Sequence, residues 1–168
     1  MNISMYQASA PRFVNTLNNL AAMLDKAAAH CDAKKIDPAA LTAFRLYPDM
    51  FPLNRQVHIA CDAAKNVMAR LAGVEVPKHE DVEQTFPELK ARIAKTIAFI
   101  QTIKPAQVDG SEEKEIALKI GGSDMKFKGM EYLLGFAHPN FYFHVTTAYD
   151  ILRHNGVEIG KNDFLGKY

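Results

Sequence analysis

Four long stretches of the chain carry apolar residues at the three- and four-residue spacing that gives a helix one apolar face. In the first stretch, for example, Phe13, Leu17 and Leu20 recur at this spacing. Periodic stretches of this length predict helices rather than strands. The predicted helices run from Ser4 to about His30, from Pro52 to Ala72, from Thr85 to about Ile103 and from Asn140 to Asn155.

Local signals mark the ends of several helices. Thr85 and Glu88 have the Thr-x-x-Glu spacing of a capping box, which predicts a helix start. Gly73 follows the last apolar position of the second helix, where glycine commonly ends a helix. Asp37 is an N-cap acceptor that predicts a short further turn, Pro38 to Ala43. These signals agree with the apolar spacing, which strengthens the helix assignment.

The spacing changes between the third and fourth helices. Residues 116–120 and 125–129 alternate apolar with polar or small side chains, and Gly121-Gly122-Ser123-Asp124 separates them. Alternation on both sides of a glycine turn predicts a small β-hairpin. A helix is expected to resume over 130–137 and to be interrupted or kinked at Pro139, while the segment after Pro105 reads as polar and exposed. The predicted fold is an all-α bundle of four helices with one hairpin before the last.

Composition narrows the function classes without naming one. The 168 residues predict a single domain, 1–168, and 20 basic against 19 acidic residues leave a net charge of +1 with no basic tract. Nucleic-acid and membrane partners are therefore not expected. Cys31 and Cys61 have no metal-site spacing and are expected to be reduced thiols. The first residues lack the pattern of a signal peptide, so the expected location is cytoplasmic.

The candidate chemistry lies on two helices. His144 falls on the apolar stripe of the fourth helix, where a lone histidine is commonly a hydrogen-bonded core residue. His58, Cys61 and Asp62 share one face of the second helix at i, i+3 and i+4. That spacing is compatible with metal ligands but carries only three polar residues. Catalytic residues are not identified by the sequence, and it contains no phosphate-binding glycine loop or hydrolase motif.

The order of elements, together with two quoted segments, resembles a known superfamily. The segments are SMYQASAPRFVNTLNNLAAMLDKAAAH (4–30) and MEYLLGFAHPNFYFHVTTAYDILRHNGVEIGKNDFLG (130–166). They resemble the DinB/YfiT-like superfamily of four-helix bundles, proposed to be metalloenzymes, and within it a bacterial domain-of-unknown-function family. The fourth-helix motif of the superfamily corresponds here to Tyr149-x-x-Leu152-Arg153-x-x-Gly156. The resemblance covers essentially the whole chain and implies a DinB-like fold.

The resemblance also implies a metal site, which this sequence fills incompletely. DinB-like proteins typically place one histidine on the second helix and two, at HxxxH spacing, on the fourth. His58 and His144 occupy two of these positions, and Asn140 stands at the third. A site for Zn or Ni commonly uses three protein ligands, and an amide oxygen suits harder cations better. Asp62 would replace the missing ligand only if its face of the helix turned inward.

Two function classes follow. One is a metal-free binding or stress-associated module that takes a small molecule in a bundle pocket. The alternative is a metal-dependent enzyme, either a thiol-linked transferase or hydrolase-like, with His58 and His144 as ligands. A homodimer is also expected, because an aromatic and polar face on the fourth helix suits a subunit interface. The residues of that face are Tyr142, Thr146, Tyr149 and Arg153.

Overall fold

The computed structural model describes residues 3–167, apart from the side chain of Ile120. Four long helices alternate with short helices and one β-hairpin. A π-helical segment, Tyr132–Ala137, joins the short helix α6 (Gly129–Glu131) directly to the last long helix, α7 (His138–His154). The elements are α1 (Met5–Lys34), α2 (Pro38–Thr42), α3 (Leu53–Ala72), α4 (Phe86–Thr102), α5 (Pro105–Val108), β1 (Glu115–Ile120), β2 (Ser123–Lys128), α6 (Gly129–Glu131), α7 (His138–His154) and α8 (Lys161–Leu165).

The four long helices form the bundle that the apolar spacing predicts. α3 packs against both α7 and α4, and α1 closes the bundle against α4 and α7. The predicted stripes are buried: Phe13, Leu17 and Leu20 of α1 are fully buried, as are Val145 and Ala148 of α7. Burying one apolar face of each helix against the others is the main stabilising term of such a bundle.

Helix ends follow the local signals, with one correction. The Thr85–Glu88 capping box forms, and Gly73 ends α3 with a left-handed φ of +73°. The end of α1, predicted near His30 to Asp32, lies slightly later, at Lys34. Cys31 is 1% exposed, so the additional turn still buries part of the helix against the core. Lys35, with a φ of 57°, then ends the helix.

The hairpin forms as predicted, with Leu118 opposite Met125 in an antiparallel register. Gly121 and Gly122 make the two-residue turn with positive φ values, which glycine adopts without strain. Phe127 packs against aromatic rings of the π-helical segment, with its centroid 5.8 Å from that of Tyr132. The hairpin therefore leans on the bundle through this cluster instead of standing alone.

The base of the hairpin is held by close backbone contacts. A Cβ atom at Gly129 would lie 1.9 Å from the carbonyl oxygen of Ser111, so only glycine fits there. The Lys114 ammonium donates to the carbonyls of Arg70 (2.9 Å) and Leu71 (3.0 Å) at the end of α3. The Arg70 carbonyl also accepts from the backbone N–H of Gly73 (3.2 Å), and the lysine, which directly precedes β1, gives both carbonyls a further donor at the end of α3.

The prediction of an ordinary helix over 130–137 is wrong in detail, since Tyr132–Ala137 is π-helical. The predicted interruption at Pro139 is also wrong. Pro139 lies inside a continuous helical stretch, because α7 follows the π-helical segment without a break, and the chain stays helical through the proline. π-helical turns like those of Tyr132–Ala137 are rare and frequently accompany functional sites.

Two short helices depart from the sequence prediction. The segment after Pro105 is not wholly exposed, because α5 forms there and fully buries Val108 in the core. α8 was not predicted; its Phe164 packs edge-on against Tyr149 of α7, with the ring centroids 6.0 Å apart. Part of the face proposed for dimer contact is thus covered by the chain itself. Within residues 3–167, no helix is long and apolar enough to cross a membrane.

Candidate functional site

His144 is a buried residue of α7 that bonds to α3. Its Nδ1 atom lies 2.7 Å from Oε1 of Gln56, whose amide nitrogen in turn donates to the carbonyl of Phe51. Because the amide nitrogen is used in this way, the amide oxygen accepts and Nδ1 of the imidazole carries the hydrogen. Burial lowers the pKa of His144 and keeps it neutral. This is the geometry of a hydrogen-bonded core histidine.

His58 lies on a different side of α3. It follows Gln56 by two residues, which corresponds to roughly 200° around a helix, and it faces Glu83 and Arg92 instead of α7. Its Nε2 is 3.2 Å from Oε2 of Glu83, yet neither ring nitrogen makes a hydrogen bond with any described residue. Burial, and then the charge of Arg92, lower the pKa of this 2%-exposed imidazole.

Arg92, a buried residue of α4, is the centre of an ion-pair cluster beside His58, and the carboxylates of this cluster are partly exposed. Its Nη2 donates to Asp62 (3.0 Å) and Asp81 (2.9 Å), and its Nη1 donates to Glu83 (3.2 Å) and to the carbonyl of Glu80 (2.7 Å). Burial by itself would lower the pKa of Arg92, but the neighbouring carboxylates raise it above its ordinary value. A fixed guanidinium therefore occupies the space among the carboxylates nearest to His58.

Cys61 does not form a reactive pair with His58. Its side chain is fully buried on α3, and burial raises the pKa of the thiol to about 12. The thiolate is the nucleophilic form of cysteine, so this thiol is inert at neutral pH.

A cleft opens on the other side of α3, between this helix, the hairpin and the π-helical segment. Its volume is about 230 Å³. The walls combine apolar side chains with a row of polar residues spaced four apart on α3, namely Asp62, Asn66 and Arg70. The remaining lining residues are Ile59, Ala63, Val67, Leu118, Lys119, Tyr132, Phe136, Ala137 and Asn140.

The polar groups of the cleft are incompletely bonded. The Oδ1 atom of Asn66 is buried and has no hydrogen-bond partner among the described residues. Arg70 donates from Nη1 to the hydroxyl of Tyr132 (3.0 Å), and no carboxylate within residues 3–167 pairs with its guanidinium. Buried polar atoms without partners are uncommon in native proteins, and a bound molecule is one explanation for them.

The four residues predicted to form a metal site are not brought to one place. Asn140 and Asp62 line the cleft, and Asp62 also accepts from Arg92 in the cluster that His58 faces. His144 lies elsewhere and bonds to Gln56. Among the described residues, no group of three or more His, Cys, Asp or Glu side chains is placed to hold a metal ion. The arrangement does not fit the three-ligand site that the resemblance implies.

Sequence reasoning identified Asp62 and Asn140 but missed the rest of the cleft. A usable signal was present: Asp62, Asn66 and Arg70 recur every four residues on a predicted helix, a polar row beside an apolar stripe. The aromatic wall gave no comparable signal, because Tyr132 and Phe136 are positioned by the π-helical segment.

A larger groove of about 580 Å³ lies between the end of α1 and the segment after α7. Its charged residues are Lys26, Lys34 and Glu158. Lys26 is already paired with Asp163 at 2.7 Å, and the groove is a shallow, solvated surface. Unlike the cleft, it contains no buried polar atom without a partner among the described residues.

Comparison with known proteins identifies the family. A family model described as a domain of unknown function, DUF1993, matches residues 5–165. The chain belongs to this family. No curated protein matches it.

A solved structure shows the same fold as this DUF1993 protein. It is the crystal structure of a DinB family member protein from Shewanella denitrificans, determined at 1.83 Å resolution. The two chains are 42% identical; the match covers 97% of this chain and 92% of the other, with a TM-score of 0.88. The predicted DinB-like bundle with its hairpin is confirmed.

Proposed function

We propose that this DUF1993 protein is a non-catalytic binding module that holds a small organic molecule in the cleft between α3, the hairpin and the π-helical segment. The supporting observation is the buried Oδ1 atom of Asn66, which has no partner in the described part of the chain. A ligand that donates a hydrogen bond to this oxygen would remove the cost of leaving it unbonded.

The shape and composition of the cleft agree with this role. Ligand sites are typically concave and mostly apolar, with a few convergent polar groups that orient the ligand. Here Phe136 and Val67 contribute apolar surface, while Asn66 and Arg70 contribute polar groups. The volume of about 230 Å³ lies below the roughly 300–1,000 Å³ of sites for drug-sized molecules. The ligand is accordingly a small one.

A fragment screen by NMR tests the proposal. Fragments that bind in the cleft should shift the side-chain amide signal of Asn66, and Ala63→Met should abolish these shifts because the longer side chain fills the cleft. Ala91→Met, at an exposed position of α4, is the matched control and should leave the shifts unchanged. A screen in which no fragment shifts the Asn66 signal would contradict the proposal.

A metal-dependent enzyme is the second candidate, and one observation favours it. Both ring nitrogens of His58 lack partners in the described region, as those of a histidine awaiting a metal would. The three nearest carboxylates, however, are bonded to Arg92. Metal analysis of protein purified without chelator or His-tag decides this. Stoichiometric metal that is lost in His58→Ala and His144→Ala would establish the metal site, and no metal in any preparation would exclude it.

The homodimer is a separate proposal. Leu134 and Phe143 are 54% and 55% exposed on the π-helical segment and α7, and apolar side chains of this kind suit a subunit interface. Light scattering at micromolar concentration should give twice the chain mass of 18.7 kDa. Leu134→Glu with Phe143→Glu should reduce it to the mass of one chain. A wild-type mass near 18.7 kDa would rule out the dimer.

A further inference from the structure

The lining of the cleft carries more positive than negative side chains. Arg70 and Lys119 both line it, and Asp62 is the single acidic residue among its lining side chains. The charge of Asp62 is already neutralised, since its Oδ1 accepts from Arg92 at 3.0 Å and from Lys65 at 2.8 Å. The positive charges of Arg70 and Lys119 are therefore not balanced within the cleft, apart from a distant, exposed contact of Lys119 with Asp124 at 3.8 Å. This electrostatic environment favours an anionic group on the ligand.

Two hydrogen-bond donors, Arg70 and Tyr132, lie next to each other in the cleft. Nη1 of Arg70 is 3.0 Å from the hydroxyl oxygen of Tyr132, which accepts from it. The hydroxyl hydrogen of Tyr132 is given to no described acceptor, although the residue is only 2% exposed. A guanidinium beside a hydroxyl donor matches the two oxygens of a carboxylate, which accept parallel hydrogen bonds from such groups.

One helical turn before Arg70, the cleft offers a hydrogen-bond acceptor instead of donors. Asn66 precedes Arg70 by four residues on α3, and its buried Oδ1 needs a donor. Phe136, Leu118 and Val67 form the apolar wall along the same cleft. The three features together describe a ligand with a carboxylate, an apolar body and a hydrogen-bond donor.

We infer that the cleft binds a small monocarboxylate of this kind, with the carboxylate on Arg70 and Tyr132 and the donor on Asn66. This inference rests on the proposed function and specifies its ligand. A hydroxy or amino acid with a short apolar or aromatic side chain carries all three groups.

Matched acid and amide pairs test the inference. The probes are butanoate and butanamide, phenylacetate and phenylacetamide, and 3-phenyllactate and 3-phenyllactamide. In each pair the two molecules have nearly the same shape and differ in charge. We expect each acid that binds to do so about tenfold to a hundredfold more tightly than its amide in titration calorimetry, the range typical of hydrogen bonds to charged groups.

Two variants assign this preference to the residues. Arg70→Gln should bring the acid-to-amide ratio close to one, and Tyr132→Phe, which keeps the ring, should reduce the acid affinity by about tenfold. Arg12→Gln removes an exposed charge of α1 and should leave the ratio unchanged.

The outcomes separate the inference from the proposed function. Equal affinities for acid and amide, or a ratio that survives Arg70→Gln, would overturn the carboxylate assignment. If neither series binds while other fragments shift the Asn66 signal, the carboxylate inference fails and the binding function stands. If no fragment of any charge shifts that signal, both fail.

Discussion

The two sides of α3 differ in how their charges are paired and in whether a cleft gives access to their buried polar groups. On the side that faces α4, the guanidinium of Arg92 meets Asp62, Asp81 and Glu83, and its charge is neutralised by these contacts. On the side that faces the hairpin, Asn66 has a buried oxygen without a described partner, and a cleft lies in front of it. The first side is closed: its charges pair with one another, although His58 and Nε of Arg92 have no described hydrogen-bond partner and no cleft lies in front of them. The second side has an unbonded amide oxygen at the wall of a cleft that a molecule from outside can enter.

The comparison bears on the metal site that the family resemblance implies. His58, the residue that suggested a metal, lies on the closed side, where Arg92 already supplies a positive charge. Asn140, the residue that weakened the metal site, lies on the open side. An amide is an ordinary group for orienting an organic ligand, although it is a weak ligand for zinc. The substitution that spoils a metal site is thus compatible with a binding cleft.

The closed side should account for the largest effect on stability. Arg92→Met removes the cation shared by three partly exposed carboxylates, of which Asp62 keeps Lys65 and Asp81 keeps Arg55. The loss of unfolding free energy should therefore lie at the lower end of the range for a broken buried pair, about 3 kcal/mol. Urea unfolding measures the loss, and Lys95→Met, at an exposed position of the same helix, is the control. A loss below about 1 kcal/mol, the typical value of an exposed pair, would mean that the cluster contributes little to stability.

The close contact of Gly129 at the base of the hairpin gives the next largest expected effect. Gly129→Ala places a Cβ against the carbonyl oxygen of Ser111, and overpacking of this kind costs about 1–3 kcal/mol. Gly135→Ala is the matched control, because a Cβ there meets no atom within 4 Å. In that control the better helix propensity of alanine should stabilise the protein by up to about 1 kcal/mol. Equal effects of the two variants on thermal unfolding would show that the base of the hairpin is not tightly held.

The buried histidines predict a dependence of stability on pH. Burial lowers the pKa values of His58 and His144 in the folded state, whereas the unfolded chain keeps them near 6.5. As the pH falls below about 6.5, the unfolded chain therefore binds protons that the folded chain does not, and the folded state loses stability. The limit is about 1.4 kcal/mol per pH unit for each histidine.

Unfolding in urea at pH 7.5, 6.5 and 5.5 measures this loss. His58→Gln and His144→Gln should each make the free energy of unfolding less dependent on pH in this window. His154→Gln, at an exposed position, is the control. A free energy of unfolding that stays constant from pH 7.5 to 5.5 would show that these imidazoles accept protons freely in the folded protein.

The smallest expected effect is a gain in stability, whereas Arg92→Met and Gly129→Ala cause a loss. Asn66→Leu replaces an amide whose oxygen has no described partner with an apolar group of similar size, so the empty protein should gain up to about 1 kcal/mol of stability. The same change should abolish ligand binding. Asn18→Leu, at an exposed position of α1, is the control. A loss of more than about 1 kcal/mol, the typical net value of one hydrogen bond, would mean that Asn66 is already bonded in the empty protein.

Much of the fold could be predicted because its signals are local. The capping box at Thr85 and the glycine stop at Gly73 depend on a few neighbouring residues, and both form. The hairpin around Gly121 follows from alternation and a two-residue turn. In contrast, the π-helical segment and α8 have no local signal strong enough to reveal them. Phe164 of α8 is placed by its contact with Tyr149, which is a tertiary contact.

The candidate site could be predicted less well than the fold, because it also depends on tertiary contacts. The direction in which His58 points depends on which neighbour covers each side of α3, and the helical spacing alone does not give this. Arg92 and Thr96 lie in line with the apolar residues of α4, and their burial shows that this part of the helix faces a polar interior. Arg92, a charged residue at a core position of α4, was the available clue to the closed side.

The π-helical segment lets the helical stretch from α6 to α7 hold one residue more without changing the directions in which its two ends face. A π turn accommodates about one residue more than the α-helical turn it replaces. If the same residues, Tyr132–Ala137, were α-helical instead, α6 and the hairpin before it would rotate by about 100° relative to α7. Tyr132 and the hairpin would then turn away from α3. The cleft is therefore the part of the molecule that depends on this one wide turn.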